Sequence, residues 1–276
     1  MQQRSIFVTG ASTGIGLASA KHLAREGFQV FAGVLPGEDT SALEGENIVI
    51  VPIDISKPEI IASAKRTIEA ALGGAGLYGL FNNAGNAYSG PLEFIPMGAI
   101  RQQFEVNTFG HIAVTQAFLP LIRQSQGRIL NTVSILGRVS TAMGGPYSMA
   151  KYAMEAFTDS LRRELAPFGI EVSALEPGAI ATKIWEKTNS NADEIWDELP
   201  EHGRELYKDA KIRLDKSVHK MATGAISPDE VAKQVVHAFT AKRPKTRYLI
   251  GSDAKLIAFL AWLLPDRLLD IVIKKL

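Results

Sequence analysis

Thr9-Gly10-Ala11-Ser12-Thr13-Gly14-Ile15-Gly16 decides the fold. Before it, Ser5–Thr9 is a short apolar run, read as a strand; after it, Ile15–Glu26 has helical spacing and stops at Gly27. A strand that enters a glycine-rich turn and opens a helix is the first half of a βαβ unit. Such glycines let backbone approach a pyrophosphate, and the helix N-terminus offers free N–H groups and a favourable dipole. The spacing is G-x-x-x-G-x-G rather than G-x-G-x-x-G, and a plain tight turn would also use glycine. The strand–turn–helix context favours the phosphate reading. Gly10, Ser12, Thr13, Gly14, Ile15 and Gly16 are therefore candidate nucleotide-binding residues.

The pattern continues outward. Phe28–Val34, Ile48–Ile53, Leu77–Phe81, Arg128–Val133, Ile170–Leu175 and Arg247–Ile250 read as six further strands. Between them lie helical segments: one to about Leu72 opened by Ser56-Lys57-Pro58-Glu59 as a capping box, one from Gly98 to Gln124, one from Pro146 to Leu165, and one capped by Ser227-Pro228-Asp229-Glu230. Strands alternating with helices imply a parallel sheet, and nearly all-apolar strands imply cover on both faces. The expectation is one α/β domain over 1–276, a doubly wound Rossmann fold with seven parallel strands. Lys183–Thr223 interrupts it: charged, with Trp185, Ile195, Trp196, Leu199, Leu206 and Tyr207 interspersed, it reads as a helical substrate-loop insertion at about residues 183–225.

Open α/β sheets bind ligands at the carboxyl ends of their strands. Asn82-Asn83-Ala84-Gly85 lies past the fourth strand, so Asn83, Ala84 and Gly85 are cofactor candidates. Asp54-Ile55, past the third, either holds an adenine edge or makes an Asx turn. The second strand ends Ala32-Gly33-Val34-Leu35, with neither an acid for a ribose 2′-OH nor an Arg for a 2′-phosphate. Thr13 is neutral, and Glu38 and Asp39 come a few residues late unless the loop folds back. Without a basic residue, NAD is favoured, with NADP left open; Gly33 joins the cofactor candidates.

Tyr147 and Lys151 are four apart on a predicted helix and share a face. An ammonium beside a phenol favours the phenolate, so the Tyr147 pKa is expected below its usual value of about 10, making Tyr147 a general acid/base. Ser134, past the fifth strand, is placed to bond a substrate oxygen. Asn107 sits inside a helix where Asn is a mediocre former, which a functional task such as holding a water would explain.

Composition narrows the classes. With 46% apolar and 21% charged residues the chain is an ordinary globular one. Zero cysteines exclude disulfides, iron–sulfur clusters and a cysteine nucleophile, and suit a reducing cytoplasm. A net charge of +1 gives no footprint for nucleic acid. The five histidines show no ligand spacing, so no metal site is expected. Met1-Gln2-Gln3-Arg4 leads straight into a strand, so no targeting segment is expected, and Leu256–Leu264 is too short to span a bilayer.

Together these motifs resemble the short-chain dehydrogenase/reductase family over residues 4–182, through Thr9–Gly16, Asp54, Asn82–Gly85, Asn107, Ser134, Tyr147, Lys151, Pro177-Gly178 and Thr182. The resemblance implies an Asn107–Ser134–Tyr147–Lys151 tetrad and a nicotinamide-contacting segment at Pro177–Thr182, with Pro177, Gly178, Ile180 and Thr182 as cofactor residues. It implies hydride exchange with a nicotinamide, Tyr147 as acid/base, Ser134 orienting the substrate oxygen, Lys151 also binding ribose hydroxyls, and Asn107 holding a water that joins Lys151 to solvent. Val30-Phe31-Ala32-Gly33-Val34-Leu35, Arg243-Pro244-Lys245-Thr246-Arg247-Tyr248 and Asp253-Ala254-Lys255 look like the retinol and 17β-hydroxysteroid dehydrogenase branch, whose members often use NAD.

Ser134, Ile135, Leu136, Met143, Gly144, Tyr147, Trp185 and the insertion are expected to wall a pocket for a bulky apolar alcohol or ketone, steroid- or retinoid-like. The apolar tail at about 254–276 reads as core packing or a subunit interface, as a peripheral membrane contact aided by Lys242, Arg243, Lys245 and Arg247, or as a substrate-entry flap. Family resemblance implies a homodimer or homotetramer. A catalytically inactive nucleotide-binding sensor is the competing reading; intact Tyr147 and Lys151 count against it. A dehydratase or epimerase would carry G-x-x-G-x-x-G in the first turn, which is absent.

Overall fold

The computed structural model describes residues 3–182 and 184–274, without the side chains of 186 and 187. Lys183, where the insertion was expected to begin, and the last two residues of the tail lie outside them. Seven strands form one sheet: β1 Ser5–Thr9, β2 Gln29–Val34, β3 Ile48–Pro52, β4 Gly79–Asn82, β5 Arg128–Thr132, β6 Glu171–Pro177 and β7 Arg247–Ile250. Their order is β3-β2-β1-β4-β5-β6-β7, and every pair is parallel. The chain reverses its direction of travel at β1 and β4, which opens a crevice at their carboxyl ends.

Alternation along each strand builds two cores. Ile6, Val8, Val30 and Ala32 face α1 (Gly14–Arg25) and α8 (Pro228–Thr240), whose Leu23, Val231, Val235 and Phe239 are buried with them. Phe7, Phe31, Val51 and Leu80 face the other way, onto α2 (Pro58–Leu72), α4 (His111–Ser125) and α5 (Gly145–Leu165), through Ile68, Phe118 and Leu161. Ser227 caps α8 as expected, its Oγ accepting from Asp229 N at 3.2 Å. The capping box at Ser56 is not formed: Lys57 is the N-cap, because the Ser56 hydroxyl donates to Asp54 Oδ1 at 2.7 Å instead.

The helix expected over Gly98–Gln124 is broken. α3 (Met97–Phe104) runs into a wide π turn, Glu105–Gly110, before α4 begins. Gly110 lies against the Ile55 carbonyl, 2.7 Å from where a Cβ would stand, so helix and β3 loop meet at close range.

The insertion leaves and returns at one point. Ala181 N donates to Ile226 O at 2.9 Å, and Ile226 N to Ala179 O at 3.1 Å. Between these pins stand α6 (Ile184–Glu198) and α7 (Glu201–Thr223). They rest on a separate small core in which Ile195 and Leu199 pack against Ile95. The tail forms α9 (Ser252–Leu263) and α10 (Asp266–Ile273), and Ala254 and Ala258 of α9 pack on Ile135. Among the described residues no helix is long and apolar enough to cross a membrane.

Candidate active site

A cleft of about 950 Å³ runs across the carboxyl ends of the strands, with α6, α7, α9 and α10 on its far side. Its nucleotide end is the first turn. Gly10 and Gly14 have φ of +66° and +56°, the left-handed region that glycine adopts without strain. A Cβ on Gly10 would stand 2.7 Å from Ala84 Cα, and one on Gly14 2.9 Å from Thr182 Cγ2. Gly10, Ser12, Thr13, Gly14 and Ile15 line the cleft. Gly16 does not; a Cβ there would lie 2.1 Å from the Gly10 carbonyl, so its task is to let α1 lie against the turn. Gly33 is likewise not in the wall. It fits between Phe7, Ile53 and the Val8 carbonyl, and its own carbonyl accepts from Ala11 N at 2.8 Å.

The loop after β4 is tied down from both sides. Thr9 Oγ1 accepts from Asn83 N at 2.9 Å and Ala84 N at 3.1 Å, while Asn83 Nδ2 donates to Thr9 O and Gly10 O. Asn83, Ala84 and Gly85 therefore present backbone and small side chains to the cleft. Asp54 lines it too, but makes the Asx turn: its Oδ1 accepts from Ser56 N at 2.9 Å. Ile55 stands beside it. The loop after β2 does fold back, through Glu38 N donating to Leu35 O at 3.1 Å, and brings Leu35 and Glu38 into the wall. The turn residues Pro36-Gly37 were the available signal for that reversal.

Asn107, Ser134, Tyr147 and Lys151 meet in the middle of the cleft. The π turn aims the buried Asn107 amide at Asn86: Oδ1 accepts from Asn86 N at 2.9 Å and Nδ2 donates to Asn86 O at 2.8 Å. Both backbone groups of Asn86 are thereby held, which gives Asn107 a positioning task. Ser134 Oγ accepts from Leu136 N at 3.1 Å, which fixes the turn Ile135–Gly137. Arg138, just past that turn, pairs with the fully buried Glu176 of β6 through Nε at 2.6 Å and Nη2 at 3.0 Å. This bidentate pair joins the Ser134 loop to the Pro177 segment.

Lys151 is buried on α5, one turn beyond Tyr147, and its Nζ donates to Thr132 O at 2.9 Å. The ammonium is 5.6 Å from the centre of the Tyr147 ring. Burial lowers the Lys151 pKa to about 8, which still leaves it charged at neutral pH. The expected lowering of the phenol is reversed: burial pushes Tyr147 up to about 12, and the Ser134 hydroxyl pulls the other way. Desolvation of a phenolate outweighs an ammonium already engaged with a carbonyl. Neighbouring His111 is pulled down to about 3 by burial and by Lys151, so it is neutral and its Nε2–H donates to Ala84 O at 2.8 Å.

Pro177, Gly178, Ile180 and Thr182 line the cleft beyond β6. Asp253 Oδ2 accepts from Ala179 N at 2.9 Å and holds this segment. Leu136, Met143 and Trp185 form the apolar side, with Trp185 Nε1 donating to Ile180 O at 2.7 Å. Met143 has φ +66°, a strained position for a side-chain residue and one that turns the loop over the cleft. One face of α7, at Ala210, Arg213, Leu214, Ser217, Val218 and Met221, completes the wall. The insertion was expected to wall the pocket, but none of these six was singled out; their i, i+3, i+4 spacing was the signal.

The geometry is that of a dinucleotide cradle opening onto a Tyr–Lys–Ser cluster, and the family model for short chain dehydrogenases matches residues 4–193. The chain belongs to the short-chain dehydrogenase family. It is an NAD(P)-dependent oxidoreductase of that family. It is 37% identical to retinol dehydrogenase 5 of Mus musculus, over 97% of this chain and 87% of that one. It is also 37% identical to 17-beta-hydroxysteroid dehydrogenase type 6 of Bos taurus, over 100% and 89% of the two chains. These relatives place it in the retinol and hydroxysteroid dehydrogenase branch. The crystal structure of a short-chain dehydrogenase from Streptomyces avermitilis superposes with a TM-score of 0.77 at 26% identity, covering 95% of this chain and 94% of that one. A Burkholderia cenocepacia short chain dehydrogenase in complex with NADP superposes with a TM-score of 0.72 at 27% identity, covering 96% and 94%.

Proposed function

We propose that the protein interconverts a bulky apolar secondary alcohol and its ketone, steroid- or retinoid-like in size, with Tyr147 as general acid and base. The observation that carries this reading is the meeting of Tyr147, Ser134 and Lys151 where the glycine cradle adjoins the apolar wall of Leu136, Met143 and Trp185. The names of the retinol and 17-beta-hydroxysteroid dehydrogenase relatives support the same substrate class. The cradle fits a dinucleotide, because at Gly10 and Gly14 any Cβ would collide with Ala84 or Thr182. Ser12, Thr13, Gly14 and Ile15 would hold its phosphates at the α1 N-terminus, and Pro177–Thr182 its nicotinamide. When bound, that group exchanges a hydride with the carbinol carbon.

The chain's own work is the proton. In reduction the Tyr147 O–H gives its proton to the carbonyl oxygen as the carbonyl carbon gains a hydride; oxidation runs the same transfer in reverse. Ser134 orients the oxygen. Lys151 supplies a positive charge that offsets the phenolate. Asn107 keeps the Asn83–Asn86 loop in place. Glu38 in the wall beside Leu35 repels a 2′-phosphate, which favours NAD over NADP.

The test is absorbance at 340 nm with NAD and NADP separately, across steroids, retinoids and simple secondary alcohols. Turnover with NAD that falls at least about 10²-fold in Tyr147→Phe is expected. Full activity in that variant overturns the acid/base assignment. Tight cofactor binding with no turnover on any alcohol favours the sensor reading.

Two surfaces extend the proposal. Phe109, Met149 and Tyr152 are exposed along the π turn and α5, an apolar face suited to a homodimer or homotetramer, which light scattering tests. Leu256, Phe259, Trp262 and Leu263 of α9 and Leu268 and Ile271 of α10 are also exposed, Trp262 to 80%. This face suits a peripheral membrane contact of a cytoplasmic protein. Flotation with vesicles, lost in Trp262→Ser, is the expected result.

A further inference from the structure

The cleft is lined by six charged side chains among the described residues: Glu38, Asp54, Lys151, Arg213, Asp253 and Lys274. Their distribution is uneven. Glu38 and Asp54 stand at the nucleotide end, following β2 and β3. Lys151 belongs to the Tyr147 cluster, and Asp253 accepts from the Ala179 amide. Arg213 and Lys274 remain, both from the helices that wall the far side. That side thus carries two cations and one carboxylate, Asp253 of α9, which is already engaged by the Ala179 amide.

Arg213 is the sharper of the two. It lies on the α7 face of Ala210, Leu214, Val218 and Met221, the one charged position in that row. It is exposed while lining the cleft, so it stands at the rim, whereas Ser134 and Lys151 are buried at the floor. Lys211, two residues away on the same helix, is used internally: it bonds Asp193 at 2.8 Å and Asp215 at 2.7 Å. No acidic residue among the described ones pairs with Arg213.

We infer that the substrate carries a carboxylate at the end of its apolar body remote from the reacting hydroxyl, and that Arg213 receives it. This rests on the alcohol–ketone reading above and narrows its substrate class to amphiphilic hydroxy acids. A guanidinium offers a carboxylate two parallel hydrogen bonds. The apolar wall between rim and floor then measures the length of the body. On this reading Arg213 touches none of the reacting atoms, so it binds ground state and transition state alike, and its contribution falls on KM rather than kcat.

The experiment compares a steroid acid bearing a secondary ring hydroxyl with its methyl ester, and 12-hydroxyoctadecanoate with its methyl ester, all with NAD. The wild-type protein is expected to show the lower KM for each acid, with kcat similar within a pair. In Arg213→Met the acid-over-ester ratio of kcat/KM falls roughly tenfold, and in Arg213→Glu it inverts. Added salt raises KM for the acids and leaves that of the esters. Turnover of both members of a pair with equal KM, or a ratio unmoved in Arg213→Met, overturns the inference and leaves the alcohol reading standing. No turnover of any secondary alcohol removes the alcohol reading, and this inference with it.

Discussion

The two sides of the cleft are anchored in different ways. On one side, turns leave buried strands and are bonded at both ends: Thr9 to Asn83 and Ala84, Asn107 to Asn86, Arg138 to Glu176. On the other, α6 and α7 leave and return at a two-bond pin beside Ile180–Ile226, pack Ile195 and Leu199 on Ile95, and are tied to one loop by Asn191 donating to Ala87 O and Tyr207 to Glu93. The first side cannot shift without breaking the main cores, so it suits chemistry that must stay registered. The second has its own small core, so its wall can change composition while the sheet persists. Substrate choice and reaction chemistry are thereby separable in one domain.

Four substitutions test that separation, in decreasing order of effect. His111 belongs to the fixed side, with its pKa near 3 against an ordinary value of 6.5. Between these values the unfolded chain binds a proton that the folded chain refuses, so stability is lost as pH falls from 6.5 toward 3. The loss from this one residue is on the order of 5 kcal/mol. Urea unfolding of His111→Gln should show a flatter acid limb; an acid limb identical to wild type would mean the imidazole is not the source.

Lys151 shows what the fixed side gives up for chemistry. Its pKa is lowered from 10.5 to about 8, so at neutral pH a buried charge destabilises the fold, a cost that vanishes as pH rises past the unfolded value. Lys151→Met should therefore raise stability at pH 7 by up to roughly 3 kcal/mol while activity collapses. Destabilisation by the variant would show that the Thr132 bond outweighs desolvation.

Gly16→Ala places a methyl on the Gly10 carbonyl and should cost about 1–3 kcal/mol, with weakened cofactor binding read by fluorescence titration. The smallest effect is expected on the other side. Trp185→Ala should raise KM about fivefold, roughly 1 kcal/mol, with an unfolding midpoint close to that of the wild type. A large loss of stability there would show that the insertion is part of the main fold after all.

Much of this was legible in the chain. Alternating apolar strands and helices gave seven parallel strands, and the Tyr147–Lys151 spacing gave one shared helix face. What escaped was competition between neighbours. Ser56 was a reasonable cap until Asp54 took its hydroxyl. The π turn keeps a helical rhythm, so only the misplaced Asn107 hinted at it. The direction of the Tyr147 pKa depends on burial, which spacing along a helix does not encode. The insertion was expected at the pocket, but which α7 residues face it stayed hidden, because the cleft beneath a charged helix is not written in its sequence.

The place of β1 in the sheet has a consequence for how the chain acquires its structure. Ile6 lies opposite Val30 on one side and Gly79 on the other. The second pairing spans about three times as much chain as the first, which adds only about 1 kcal/mol of closure entropy. Time is affected more than equilibrium. A nascent chain that has released β1, α1 and β2 still offers one open, apolar edge on its first strand. That edge closes only when β4 arrives. Until then the growing polypeptide has a ready template for pairing with another chain, and this interval is when it most needs a chaperone.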